Sequence, residues 1–212
     1  MRELCDWRAG IEVTNKDGRT PLIDASKNGH LAVVRELLTR GANIEAAANF
    51  GVTSLFFASE RGQLAVVREL VARGANIEAA MNDGWTSLII ASSNGHHDVV
   101  RELLARGANT EAATNDSVTS LYIASQLGRL AVVRELLARG ASSYVTDDDG
   151  ETPLIMASYL GYVKVVRALL AAGADKHHAA NNGATATSLA GAADGVKPKV
   201  KASILALLAA AP

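Results

Sequence analysis

Cysteine is nearly absent from this 212-residue chain: Cys5 alone excludes an internal disulfide framework and suits a reducing compartment. No stretch approaches the roughly 20 consecutive apolar residues that span a bilayer. The first residues, MRELCDWRAG, lack the apolar core of a secretory signal. The cytoplasm is therefore the expected location, with the nucleus as the other option. Neither charge prevails, since 21 basic against 22 acidic side chains create no overall pull toward nucleic acid or anionic lipid, and neither is expected as a partner. Aromatic residues are scarce while Ala, Leu, Val and Gly abound, as expected of thin helical units packed closely.

Reactive constellations are missing as well. His96-His97 and His177-His178 are adjacent pairs, and adjacent residues on a helix do not face the same way. Asp147-Asp148-Asp149-Gly150 lacks the alternating ligands and the distant bidentate glutamate of a calcium loop. There is neither a phosphate-cradling glycine loop followed by Lys and Ser/Thr nor a nucleophile elbow. Cys5 aligns with Leu38 of a repeated helix and reads as a small core hydrophobe. No catalytic residue, metal site or cofactor is expected, and an enzyme is not the expected function.

What the chain does have is repetition. Val33-Val34-Arg35-Glu36-Leu37-Leu38, followed by Arg40-Gly41-Ala42-Asn43-Ile44-Glu45, returns from Val66, Val99, Val132 and, more altered, Val165. Gly18-Arg19-Thr20-Pro21-Leu22 keeps step with it, echoed at Gly51, Gly84, Ser117, Gly150 and Gly183. A fixed period of 33 residues means supersecondary units that cannot bury their apolar faces alone. The period places a truncated half repeat at 1–14, full repeats at 15–47, 48–80, 81–113, 114–146 and 147–179, and a degenerate capping repeat at 180–212.

Within one repeat, Asp17-Gly18 predicts a tight hairpin turn. Thr20 is placed to cap a helix, with Pro21 at its first position. That helix is predicted to reach about Asn28, where Gly29 stops it, and a second to run from about Leu31 to Arg40 with Val34, Leu37 and Leu38 inward. Neither helix would be stable alone, because isolated helices under ~12–15 residues are marginal in water. The recurring Arg35, Arg68, Arg101, Arg134 and Arg167 read as a solvated outer face, supported by Glu36/Arg40 and its repeats at i,i+4. A phosphate-binding arginine ladder is the rival reading, opposed by the interleaved glutamates.

The ends differ. At the N-terminal stub either Trp7 improvises a cap or the chain is cut from a longer array. The second is favoured, and the ragged end is a candidate surface for self-association. At the other end Thr185–Leu189 keeps a helix opening only loosely, an insertion surrounds Gly195–Lys199, and Ser203–Leu208 restores a second helix. Lys197, Lys199 and Lys201 would wet its outer side.

This pattern resembles the ankyrin repeat, whose period and G-x-TPLH-x-A signature are matched across essentially the whole chain. It departs from the signature at the histidine, replaced by Ile23, Phe56, Ile89, Tyr122 and Ile155. It departs also at the proline, replaced by Ser54, Ser87 and Ser120. The resemblance implies an all-α fold, an ankyrin-repeat solenoid of stacked helix-turn-helix units with β-hairpin-like loops. It further implies a non-catalytic protein–protein interaction module that binds a protein or peptide on the concave face of hairpin tips and first helices. On that face the candidates are Arg19, Phe50, Val52, Arg61, Trp85, Val118, Leu127, Asp148, Asp149, Glu151, Tyr159 and Leu160. They suggest a partner with an apolar centre, an acidic end near Lys16 and Arg19, and a basic end near Asp148 and Asp149. The alternative is a scaffold or docking fragment of a larger signalling or regulatory protein whose activity lies outside this chain.

Overall fold

In a computed structural model, residues 10–211 are described. Most of the expected half repeat at 1–14, including Cys5 and Trp7, lies outside the described residues. The chain divides into two compact units, one ending at Asn109 and the other beginning at Thr110. Among the described residues there are eleven α-helices and no sheet.

The first unit contains three helix pairs: α1 (Pro21–Lys27) with α2 (Leu31–Thr39), α3 (Ser54–Glu60) with α4 (Leu64–Ala72), and α5 (Ser87–Asn94) with α6 (His97–Ala105). Like packs on like, α1 on α3 on α5 and α2 on α4 on α6. The second unit repeats this with α7 (Ser120–Gln126) and α8 (Leu130–Ala138), then α9 (Pro153–Tyr159) and α10 (Val163–Ala171). It closes on α11 (Pro198–Ala210), which packs on α10. These are the stacked helix-turn-helix units expected from the 33-residue period.

The boundaries follow from local chemistry. Thr20, Thr53, Thr86, Thr119 and Thr152 each accept the backbone N–H three residues on, satisfying one orphan donor of the first turn. The glycine between paired helices is required twice over. Gly62 has φ +70°, and a Cβ there would stand 2.7 Å from the His96 ring of the next repeat. Arg40 caps α2 rather than belonging to it.

Ile23, Ile89 and Ile155 are fully or almost fully buried, and Phe56 and Tyr122 nearly so, which places apolar packing at the signature histidine position. Leu22, Leu55, Leu70, Leu103, Leu121, Leu136, Leu154 and Leu169 complete the columns between helices. Each such side chain contributes ~1.5–3 kcal/mol on burial. On α2, Val34 is buried but Leu37 and Leu38 are only half so. In the last segment the loose opening is not a helix: residues 186–191 form turns, and α11 starts at Pro198, five residues earlier than read. Lys197, Lys199 and Lys201 are exposed.

Repeats are joined by two ladders that the period alone does not announce. Glu12, Glu45 and Glu78 accept the backbone N–H of Asn43, Asn76 and Asn109 at 2.7–2.8 Å, and Glu111 does the same for Ser142 at 3.0 Å. On the outer helices Arg35 reaches Glu69, and Arg68 reaches Glu102, both at 2.8 Å. The expected i,i+4 pairs are present too, from Glu36/Arg40 at 2.6 Å to Glu135/Arg139 at 3.2 Å. Glu69 and Glu102 are thus held between two arginines, one from the preceding repeat. The Arg35 and Arg68 hydrogen bonds hold these carboxyls below their ordinary range.

Candidate protein-binding surface

Each hairpin tip is built by the same two backbone bonds. Asn15 N–H donates to the Arg19 carbonyl and Gly18 N–H to the Asn15 carbonyl, and the pattern recurs at Ala48, Met81, Thr114, Asp147 and Ala180. The fourth turn residue takes positive φ, at Gly18, Gly51, Gly84, Gly150 and Gly183. A two-residue Asp-Gly hairpin would need positive φ at Asp17 as well. The turn is instead the three-residue kind closed by a left-handed glycine. Ser117 takes that glycine's place at φ 61°.

Phe50 departs further. It precedes Gly51, has φ 65° and ψ 15°, and is 72% exposed. A left-handed conformation costs a bulky L-residue roughly 1–2 kcal/mol, and an exposed ring returns little of that through packing. The tip is nonetheless anchored on both sides. Asn49 N–H donates to the Asp17 carbonyl, and Asn82 N–H donates to the Phe50 carbonyl. An aromatic ring is therefore held outward on a fixed backbone.

The other candidates in the first unit divide. Trp85 is half-buried in the next tip, at the position that Val52 holds in the tip of Phe50. Val52 is only 8% exposed, so it is a core residue rather than a tip contact: at this turn the chain re-enters the stack one residue before the Thr53 cap. Arg19 is not an open cation, because it pairs with Asp17 at 2.8 Å and Asp24 at 2.7 Å. Arg61 is exposed, 3.4 Å from Glu60.

The Arg19–Asp24 contact also shows which first-helix residue lies beside the tip. The same offset pairs Val52 with Phe57 and Trp85 with Ile90. Phe57 and Ile90 are half-buried and were not among the sequence candidates, because at helical spacing they read as core. Lys27 Nζ sits 4.8 Å from the Phe57 ring centroid, a cation–π contact that sets a positive charge over the aromatic face.

In the second unit Leu127 is exposed, and Val118, Tyr159 and Leu160 are half-buried, as are Ile123 and Met156 at the Phe57 position. Asp148 and Asp149 are exposed and Glu151 half-buried. Ser117 Oγ donates to Asp148 at 2.7 Å. Asp147 accepts the N–H groups of Asp149 and Glu151 and the Tyr122 hydroxyl, so its carboxylate organises the turn. Burial first, then the hydrogen bond to Asp147, pushes the Tyr122 phenol well above its ordinary range. Burial, with Asp147 and Asp149 adjacent, raises the Glu151 carboxyl.

Among the described residues no group of three or more His, Cys, Asp or Glu is arranged to hold a metal. His96 reaches the Glu60 carbonyl at 2.9 Å and His178 the Gly150 carbonyl at 2.9 Å, both structural bonds between repeats. No helix among the described residues is long and apolar enough to cross a membrane.

The family profile for ankyrin repeats (3 copies) matches residues 1–81, 55–147 and 112–180. The chain belongs to the ankyrin repeat family. A crystal structure of the human ASB11 ankyrin repeat domain is similar in fold, with a TM-score of 0.84 at 26% identity, covering 97% of this chain and 90% of that one. No curated protein matches the chain in sequence. Ankyrin repeats are in general protein–protein interaction modules, a fold known for binding rather than for catalysis.

Proposed function

We propose that this ankyrin repeat chain binds a partner protein or peptide through hairpin tips and first helices. In the first unit the contact centres on Phe50, Trp85, Phe57 and Ile90, with Arg61 at the rim. In the second it uses Leu127, Val118, Tyr159 and Leu160, bordered by Asp148, Asp149 and Glu151. The reading places the protein in the cytoplasm or nucleus, where a single-cysteine interaction module remains reduced. One observation carries it: Phe50 stands exposed on a backbone conformation that aromatic residues avoid, and strain kept at an exposed position points to use. Trp, Tyr and Arg are enriched among binding hot spots, where Trp and Tyr bury large areas at low entropic cost.

The partner's complement is apolar opposite Phe50 and Trp85 and basic opposite Asp148 and Asp149. An acidic contact at Arg19 drops out, because that guanidinium already has two carboxylates. A further surface bears on self-association. Ile11, Pro21, Ala32, Val33 and Leu37 line an apolar groove of ≈770 Å³ in the first unit, and Val33 is 48% exposed. The central test begins with a peptide selected from a displayed library on the wild-type chain. Calorimetry should then show Trp85→Ala binding it at least about tenfold more weakly. Unchanged affinity for both Trp85→Ala and Phe57→Ala refutes the assignment.

A further inference from the structure

The second unit balances nine Lys and Arg against nine Asp and Glu, but its basic side chains gather toward the end of the sequence. From Val163 onward there are six Lys and Arg against two Asp. Neither α10, VKVVRALLA, nor α11, PKVKASILALLAA, contains a carboxylate. This region breaks the outer ladder at two columns. The position held by Glu69, Glu102 and Glu135 is Ala168, and the position held by Arg73, Arg106 and Arg139 is Ala172.

In the first unit that glutamate completes an ion pair with the arginine one repeat earlier, Arg35 to Glu69 and Arg68 to Glu102, at 2.8 Å each. Arg134 is the next such arginine within the second unit, and Ala168 gives it nothing to pair with. The two truncations leave a groove of ≈460 Å³ between α8 and α10, with Arg134 on one wall, Lys164 and Arg167 on the other, and Ala138, Ala168 and Ala172 along it. All three cations are exposed and none takes part in an ion pair among the described residues. Lys164 and Arg167 stand i,i+3, where α6 carries the attractive Asp98/Arg101 pair at 2.9 Å. Like charges at this spacing oppose helix formation.

We propose that this outer groove binds an acidic peptide segment of a partner protein: Arg134 takes the carboxylate that Ala168 no longer supplies, and Lys164 and Arg167 take a second acid. The protein's own first unit shows what fits, since an equivalent arginine there holds a glutamate carboxylate. The alanine floor accepts the methylene groups of that glutamate. A lipid surface is a poorer occupant, because no exposed large apolar side chain lies within α8, α10 or α11 to enter a bilayer.

The experiment follows fluorescence anisotropy of a fluorescein-labelled peptide, Gly-Glu-Glu-Gly-Glu-Glu-Gly, with the full chain at low salt. Arg134→Ala and Arg167→Ala should each weaken binding about fivefold or more. Ala168→Glu should weaken it at least about tenfold, because the internal carboxylate then occupies Arg134. Ala168→Gln, with similar volume and no charge, should weaken it less than Ala168→Glu. Trp85→Ala should leave this binding unchanged, which separates it from the hairpin-tip site. Arg68→Ala weakening the peptide as much as Arg134→Ala would overturn the proposal by reducing it to bulk charge. So would wild-type affinity in Ala168→Glu, or preference for phosphatidylserine vesicles or inorganic phosphate over the peptide.

Discussion

Replacing Phe50 by glycine should make the fold more stable and the protein worse at binding, an opposition of signs that few explanations share. The backbone at Phe50, φ 65° and ψ 15°, is one that glycine adopts freely and a bulky L-residue adopts at roughly 1–2 kcal/mol. Glycine's extra freedom in the unfolded chain offsets ~0.4–1 kcal/mol of that relief. The ring is 72% exposed, so its removal forfeits little burial. The net expectation is a gain of ~0.5–1 kcal/mol, a rise of about 1–4 °C in Tm for a chain of this size. Binding moves the other way. A fully buried Phe contributes ~1.5–3 kcal/mol, and the exposed share leaves about 1–2 kcal/mol for a partner to gain, roughly 5- to 30-fold in affinity. Thermal melts followed by circular dichroism and calorimetry with the selected peptide measure the two quantities on the same samples. Phe50→Asn provides a control, since asparagine tolerates this conformation without restoring the ring. A lower Tm for Phe50→Gly would mean that the ring stabilises its own hairpin. Unchanged affinity would remove Phe50 from the contact.

Ser117 tests the same physics without the aromatic ring. Ser117→Gly should be more stable than Ser117→Ala by ~0.5–1 kcal/mol, because both lose the hydrogen bond to Asp148 and only glycine relieves φ 61°; urea melts decide, and equal behaviour of the two variants refutes the strain. The inter-repeat arginines predict a pH dependence. The folded-state pKa values of Glu69 and Glu102 lie below the unfolded value, so the stability they contribute is present above about pH 4.3 and lost as the pH falls through the folded values. A Glu69→Gln, Glu102→Gln double variant should therefore lose less stability than wild type between pH 5 and pH 3, and parallel pH profiles would exclude the two carboxylates as contributors.

Those pairs also mark a limit of reading the sequence. Helix starts and stops in the full repeats were legible because each has a sufficient local cause: Thr86 caps through its own side chain, and Gly62 turns through its own φ. Apolar columns were legible because Leu70 and Leu103 recur with the 33-residue period, each at helical spacing from Val66 and Val99. The Glu45 bond to Asn76 N–H and the Arg35 bond to Glu69 span 31 and 34 residues, and each partner has a sufficient local explanation in its own repeat. Glu69 beside Arg73 already reads as a complete i,i+4 pair, so nothing in one repeat calls for Arg35.

The binding candidates were less legible, for a related reason. Hydrophobicity at a tip does not distinguish a side chain that turns back into the stack from one that stays out. Val52 and Phe50 sit two residues apart, and the first is buried while the second is exposed. What separates them is backbone geometry, and Phe is a residue for which positive φ would not be guessed. Phe57 and Ile90 failed in the opposite direction: they match the core period, yet each retains exposed surface because only one side of a first helix faces its neighbours.

Departures from the period therefore carry more information about individual function than the period does. Leu70, Thr86 and Glu69 are constrained by what every repeat must do, which is to stack on the next, and they report only the family. Phe50, Ser117 and Ala168 each give up something the frame supplies elsewhere: an unstrained turn, a glycine, an ion pair. Consistency across levels is the default for a folded sequence, and local violations concentrate where another demand competes with folding. The three do not weigh equally. Ser117 returns a hydrogen bond to Asp148, so its strain has a structural return. Among the described residues Phe50 and the Ala168 groove show no such return, and the proposed binding would offset both.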